Sequence, residues 1–220
     1  MNAVAREVLD ARATDDAGFC GLSVASAVAR ASPQDAEVFV SNSMAVRLLD
    51  LGFAMRTKRL RVYASRGAAG IDGINSTALG IAAATDRPTV LFTGDLAFLH
   101  DLSGLLITRR VNLRLTVVVL DDDGGGIFSM LPIANQGEAV AFRELFHTPH
   151  GLDLERVAAG FSLPYTRVLD VAGLDAAIEA GTQARAVSIV HVPVDAKTNE
   201  ERFRSATAAA RAAVDAAAVR

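Results

Sequence analysis

Thr93-Gly94-Asp95-Leu96 and, further on, Asp121-Asp122-Asp123-Gly124-Gly125-Gly126-Ile127-Phe128 decide how this chain is read. Each closes an apolar run, Thr89–Phe92 before the first and Leu113–Leu120 before the second. The second run is the most β-rich in the chain and shows no apolar/polar alternation. That suits a central parallel strand covered on both faces. Two strand-like segments thus each deliver an aspartate into a tight turn. Carboxylate and backbone oxygens at two such strand ends can hold a hard divalent cation. Glycines beside them let backbone approach a phosphate and leave amides free to bind it. The pattern predicts a Mg²⁺-bridged diphosphate site.

Outward from this pair, strands and helices alternate. Strands are expected at 37–40, 60–64, 165–168 and 188–192, besides the two runs above. Apolar residues at helical spacing predict helices over 3–13, 21–31, 44–51, 96–108, 152–159, 174–184 and 200–217, and a further helix follows Gly73 to about Ala84. Ile127–Leu131 reads as one helical turn. Residues 132–150 read as a long irregular loop, a kind that is often functional. The alternation predicts a doubly wound α/β fold, a mostly parallel sheet with helices on both faces, in a single domain over 1–220. Ligands of such sheets sit at the carboxyl ends of the strands. The loops 41–43, 65–73, 94–96 and 121–128 all fall there.

Composition narrows the class. Half of the 220 residues are hydrophobic (51%), enough for a sizeable core, and the net charge of −3 predicts no nucleic-acid footprint. The basic cluster Arg56–Arg61 reads as a solvated helix-to-strand connection. A single cysteine, Cys20, excludes an intrachain disulfide and fits a reducing cytosol; its alanine-rich setting marks a buried, inert thiol. No apolar run reaches the length of a membrane span, and the N-terminus lacks a signal-peptide core. A cytoplasmic protein is expected.

The histidines, His100, His147, His150 and His191, show no zinc-binding spacing and read as structural. His191 lies in a strand pattern; His147 and His150 flank Pro149 in the long loop, where they could approach a substrate. Ser23, Ser26 and Ser129 lack a nucleophile-elbow setting. Ser41-Asn42-Ser43 reads first as a helix N-cap, with an anion or ligand loop as the alternative. Ser65-Arg66-Gly67-Ala68-Ala69-Gly70-Ile71-Asp72-Gly73 spaces its glycines G-x-x-G-x-x-G, which is not the dinucleotide fingerprint.

Gly94-Asp95, followed about 27 positions later by an acidic residue before glycines, resembles the thiamine diphosphate motif. With Ser41–Arg47, Ser65–Gly73 and Leu96 in place of the usual second glycine, the chain is similar to the MenD family, the thiamine-dependent synthases of menaquinone biosynthesis. Phe146-His147-Thr148-Pro149-His150 is similar to actinobacterial members. The resemblance implies a transferase that decarboxylates 2-oxoglutarate and adds the succinyl unit to isochorismate. It implies thiamine diphosphate and Mg²⁺ as cofactors, with Mn²⁺ possible.

Carried onto this sequence, the family pattern makes Asp95 and Asp122 metal ligands by side chain and Gly124 by its carbonyl. Asn42, Gly94 and Leu96 join Asp95 at the cofactor, and Ile71 is the apolar wedge that bends it. Ser43, Arg47 and Arg66 contact substrate or intermediate, and Ile127 and Phe128 line its pocket. Asp122 departs from the asparagine of many relatives and adds charge near the diphosphate.

The family's pyrimidine-binding and middle domains precede the part that this chain matches. The glutamate that activates the aminopyrimidine comes from a neighbouring subunit, and none of Glu7, Glu37, Glu138, Glu144 and Glu155 falls in a matching motif. The chain alone is therefore expected to be inactive and to need a pyrimidine-binding domain or chain in an oligomer. Half of another thiamine-dependent carboligase or decarboxylase, and a non-catalytic assembly or regulatory fragment, are the competing readings.

Overall fold

The computed structural model describes residues 2–15, 19–53 and 58–218. In chain order these form α1 (Asn2–Ala13), α2 (Gly21–Ala31), β1 (Glu37–Val40), α3 (Met44–Gly52), β2 (Arg61–Ala64), α4 (Ile74–Thr85), β3 (Thr89–Gly94) and α5 (Asp95–His100). A 3₁₀ segment, Leu102–Arg109, leads to β4 (Leu115–Asp121). Then come α6 (Leu154–Gly160), β5 (Tyr165–Arg167), α7 (Val171–Gln183), β6 (Val187–Pro193) and α8 (Ala196–Ala218).

The strands make one sheet in the order β2-β1-β3-β4-β6-β5, every neighbouring pair parallel. This is the expected doubly wound α/β fold. The period-two alternation of side chains splits β4 between two cores. Val118 and Leu120 join Val38, Val40, Val90, Phe92, Val190 and Val192 against α1, α2, α3, α7 and α8. Leu115, Val117 and Val119 join Phe39, Leu91, Val187 and Ile189 against α4, α5, α6 and the 3₁₀ residue Leu105. Cys20 is buried in the first core, as expected of an inert thiol. No described helix is long and apolar enough to cross a membrane.

Several boundaries differ from expectation for local reasons. The helix expected over 96–108 stops at His100, and a 3₁₀ segment takes over. Asn75 Nδ2 donates to the carbonyls of Phe98 (2.8 Å) and Asp101 (3.0 Å), and the Asp101 carboxylate accepts from the Ser76 amide (2.6 Å), so these groups bond to α4. Helices α6, α7 and α8 begin after Asp153, Asp170 and Asp195, each of which accepts from backbone amides two or three residues on. Aspartate N-caps of this kind fix a helix start independently of apolar spacing.

Residues 132–150 are only partly irregular, with a kink at Gly137 and no regular element over 148–150. They form a 3₁₀ stretch, Pro132–Val140, and a π turn, Arg143–His147. Phe146 stacks on Phe142 and meets Phe128 edge-on, with centroids 5.5 and 6.0 Å apart. In the basic connection, Arg56 lies outside the described residues. Lys58 there is not simply solvated: its Nζ donates to the carbonyls of Arg30 and Ser32 at 2.8 and 3.2 Å.

Helix α7 approaches the sheet through Gly181. A Cβ there would stand 2.6 Å from Thr116 Oγ1 and 2.9 Å from Ser188 Oγ, both on buried strands. Gly181→Ala is expected to destabilise the domain by about 1–3 kcal/mol, the usual range for overpacking. Urea unfolding checks this; an unchanged midpoint would show that α7 lifts freely from the sheet.

Candidate cofactor site

The chain passes from β1 to β2 on one side and returns to β3 on the other. This reversal opens a crevice at the carboxyl ends of β1 and β3, the usual ligand position in such sheets. A cavity of about 370 Å³ lies there. Asn42, Ser43 and Arg47 reach it from the end of β1 and the start of α3. Arg66 and Ile71 reach it from the loop after β2, Gly94, Asp95 and Leu96 from the end of β3, and Asp122, Gly124, Ile127 and Phe128 from the turn after β4. The residues that the family pattern assigns to metal, cofactor or substrate therefore all line this one cavity.

The strand-end loops are tied to one another. Asn42 Nδ2 donates to the Gly70 carbonyl (2.5 Å), and its Oδ1 accepts from Arg66 (2.7 Å). Ser43 precedes α3 but makes no side-chain capping bond, so the N-cap reading of the triplet fails. Its backbone has φ 63° and ψ −134°, a conformation that costs a non-glycine residue on the order of 1–3 kcal/mol and occurs mostly where function requires it. Arg47 donates to the Ser43 carbonyl at 2.6 Å.

Asp95 opens α5. Its Oδ1 accepts from the Leu96 amide (2.6 Å) and its Oδ2 from the Gly124 amide (2.7 Å), which joins the ends of β3 and β4. Gly124 has φ 146°, and a Cβ there would strike the carbonyl of His147. A Cβ on Gly126 would strike the Asp122 carboxylate, which folds over it. At Gly124 a side chain is excluded by contact and by backbone, and at Gly126 by contact with the Asp122 carboxylate.

Two groups at this centre lie outside the motif expectations. Asp121 accepts from His191 Nε2 (2.8 Å) and from the Asp123 amide (2.9 Å), and His191 Nδ1 meets the Tyr165 hydroxyl at 2.6 Å. His150 Nε2 lies 3.1 Å from Asp95 Oδ2 and 3.6 Å from Asp121 Oδ1. His150 and His191 were expected to be structural; both contact the acidic cluster. For His191 a signal existed. It is the one ionisable residue in an apolar strand, two positions short of the residue that pairs with Asp121 in β4. For His150 only the turn-rich Thr148-Pro149-His150-Gly151 run pointed to a tight loop.

The carboxylates do not share their environment evenly. Burial pushes Asp122 up to about 7, and the charges of Asp95 and Asp121 act in the same direction. Burial pushes Asp95 up to about 6, with the Leu96 amide opposing and the Asp121 charge adding. Burial would also raise Asp121, but the His191 hydrogen bond and the Asp123 amide outweigh it and hold Asp121 below the usual range. A divalent cation would offset the charge that burial penalises on Asp95 and Asp122; the described side chains close enough to share one ion are Asp95, Asp121 and His150, without Asp122. A bare diphosphate would face like charge; a diphosphate carrying the cation would not. The apolar side chains of Ile71, Leu96, Ile127 and Phe128 can flank an organic ring above it.

A cavity of this kind at a parallel-sheet crevice defines a cofactor-binding α/β domain, of the sort that holds a diphosphate through a cation. The chain belongs to a known family of such domains, the thiamine pyrophosphate enzyme C-terminal TPP binding domain, whose model matches residues 50–192. Among its relatives are 2-succinyl-5-enolpyruvyl-6-hydroxy-3-cyclohexene-1-carboxylate synthases. That of Myxococcus xanthus is 45% identical over 82% of this chain and 31% of its own length. That of Haloarcula marismortui is 44% identical over 79% and 29%. The chain thus spans about a third of the curated relatives that it matches. Among solved structures, benzoylformate decarboxylase from Polynucleobacter necessarius shares the fold over 80% of this chain and 33% of its own, at a TM-score of 0.65 and 17% identity.

The raised carboxyls set a pH dependence. Asp95 and Asp122 hold protons in the folded state up to about 6 and about 7, whereas an unfolded aspartate releases them near 3.8. Between those values the folded state binds more protons, so this contribution to stability is lost as pH rises. Without divalent cation, the melting temperature is expected to fall from pH 4.5 to 7.5, with a flatter slope in Asp122→Asn. Mg²⁺ should restore stability at the high end. Differential scanning fluorimetry across pH measures all three.

Proposed function

We propose that this chain is the diphosphate- and Mg²⁺-binding part of a menaquinone-biosynthesis carboligase that decarboxylates 2-oxoglutarate and adds the succinyl unit to isochorismate. The observation that carries this reading is the convergence of Asn42, Ser43, Arg47, Arg66, Ile71, Asp95, Asp122 and Phe128, from four separate strand ends, on one cavity. The names of the relatives support the same choice of reaction.

Asp95 and Asp122 would hold the cation through their carboxylates and Gly124 through its carbonyl. The glycine turn would lie against the diphosphate, and Ile71 would support the bend of the cofactor. Bound thiamine diphosphate supplies the electron sink for decarboxylation and carbon–carbon bond formation, chemistry that side chains lack. Arg47 and Arg66 would bind substrate carboxylates, since guanidinium matches them bidentately. Ser43 would add a hydroxyl contact, and Ile127 and Phe128 would exclude water from the reacting carbon. Among the described residues no glutamate lines the cavity. The carboxylate that activates the aminopyrimidine would therefore come from a pyrimidine-binding domain or chain, in an oligomer.

Calorimetric titration with thiamine diphosphate is expected to show binding that requires Mg²⁺ and weakens by more than about tenfold in Asp95→Asn, as loss of a metal ligand should do. With a pyrimidine-binding partner added, turnover should favour 2-oxoglutarate over pyruvate, and Arg47→Ala and Arg66→Ala should raise KM. Cofactor binding with a preference for pyruvate would point instead to another thiamine-dependent decarboxylase.

A further inference from the structure

One nitrogen and two carboxylate oxygens from His150, Asp95 and Asp121 lie within 4.8 Å of one another. By distance alone this suits a cation held by two carboxylates and an imidazole. The hydrogen bonds of His150 oppose that reading. Its Nδ1 lies 3.0 Å from the backbone nitrogen of Leu152. A backbone amide only donates, so Nδ1 turns its lone pair toward Leu152 and carries no proton. The ring hydrogen is then on Nε2, the atom that faces Asp95 Oδ2 at 3.1 Å. The Nδ1 lone pair is thus turned to Leu152, with Asp123 Oδ1 3.7 Å away, and not to Asp95 or Asp121.

The partners of Asp95 complete the picture. Its Oδ2 accepts from both the Gly124 amide and His150, which fills its two lone pairs. Its Oδ1 accepts from the Leu96 amide at 2.6 Å, and its carboxyl also lies against that of Asp121. Asp121 is engaged at both oxygens, Oδ2 by His191 and Oδ1 by the Asp123 amide.

We propose that His150 is a positioning residue and not a metal ligand: it donates Nε2–H to Asp95 Oδ2 and so presents Oδ1 to the cation. This rests on the proposed function, in which Asp95 and Asp122 hold a cation. It also gives the site a choice of metal. With its nitrogen capped by a proton, the centre offers oxygen ligands only, which suits Mg²⁺ and Mn²⁺ and disfavours nitrogen-seeking ions such as Zn²⁺.

Two-bond ¹⁵N–¹H correlation NMR of the metal-free chain reports the His150 tautomer without any cation. The expected result is Nε2–H; an Nδ1–H ring would overturn the inference. Pulsed EPR of the chain with Mn²⁺ and thiamine diphosphate is expected to show no directly coordinated imidazole nitrogen. A nitrogen coupling that disappears in His150→Gln would also overturn it. His150→Ala should weaken Mn²⁺ binding about tenfold, the scale of an outer hydrogen bond to a ligand, and His150→Gln, which keeps an N–H at similar reach, should recover most of it. Equal losses in both, at unchanged melting temperature, would count against positioning. Absence of Mn²⁺ uptake with the Nε2–H tautomer in place would overturn the cation reading itself. Uptake with nitrogen coordination would overturn this inference alone.

Discussion

The hydrogen bond from the Gly124 amide to Asp95 Oδ2, at 2.7 Å, is the joint on which the site depends. It links the residue that ends β3 and starts α5 to the turn that ends β4. Those strands pair along six residues, from Thr89–Leu115 to Gly94–Leu120, so their ends arrive together and in fixed register. The sheet supplies the precision, and the turn supplies amides and carbonyls that no regular element leaves free. At Gly124 the positive φ and the His147 carbonyl together forbid a side chain, so the joint and the glycine are parts of one constraint.

Around this joint the structure gathers more negative charge than it neutralises. Asp121 is stabilised by His191 and the Asp123 amide and stays ionised at little cost. Burial instead raises Asp95, against the opposing Leu96 and Gly124 amides, and Asp122 above the usual carboxylate range. The centre thus has one carboxylate that is committed and two that, on the proposed function, a cation would ionise. A surface cluster of aspartates would lose its repulsion to solvent and salt. Here burial preserves the repulsion.

How far the sequence disclosed this differs from element to element. The fold was legible because β4 is apolar without alternation, and because strands and helices take turns along the whole chain. Asp95, Asp122 and their glycines were legible as strand-end turns, whereas Asn42, Ser43, Arg47, Arg66, Ile71, Ile127 and Phe128 were assigned roles there only through the family resemblance. What escaped were side-chain commitments across long sequence separations. Asp121 pairs with a histidine 70 residues later, and Asp95 with one 55 residues later, and no local pattern encodes either. The starts of α6, α7 and α8 were missed for a different reason. Asp153, Asp170 and Asp195 cap them in plain view, but apolar spacing alone started α6 two residues early and α7 and α8 three and four residues late. Ser41-Asn42-Ser43 failed the other way: its composition is that of a cap, yet Ser43 does not cap and Asn42 instead bridges two loops.

That bridge bears on the two arginines. Arg47 and Arg66 each give a donor to the segment 42–43, Arg47 to the Ser43 carbonyl and Arg66 to Asn42 Oδ1. A guanidinium has five N–H donors in a planar fork, so one committed donor fixes the plane and leaves the rest to meet a ligand. Long side chains otherwise lose up to about 2 kcal/mol of rotamer entropy when a ligand immobilises them. Anchored to the same strained segment, the two arginines have met part of that cost on folding. The unusual backbone thus falls at the residue whose carbonyl holds Arg47, and both residues line the cavity.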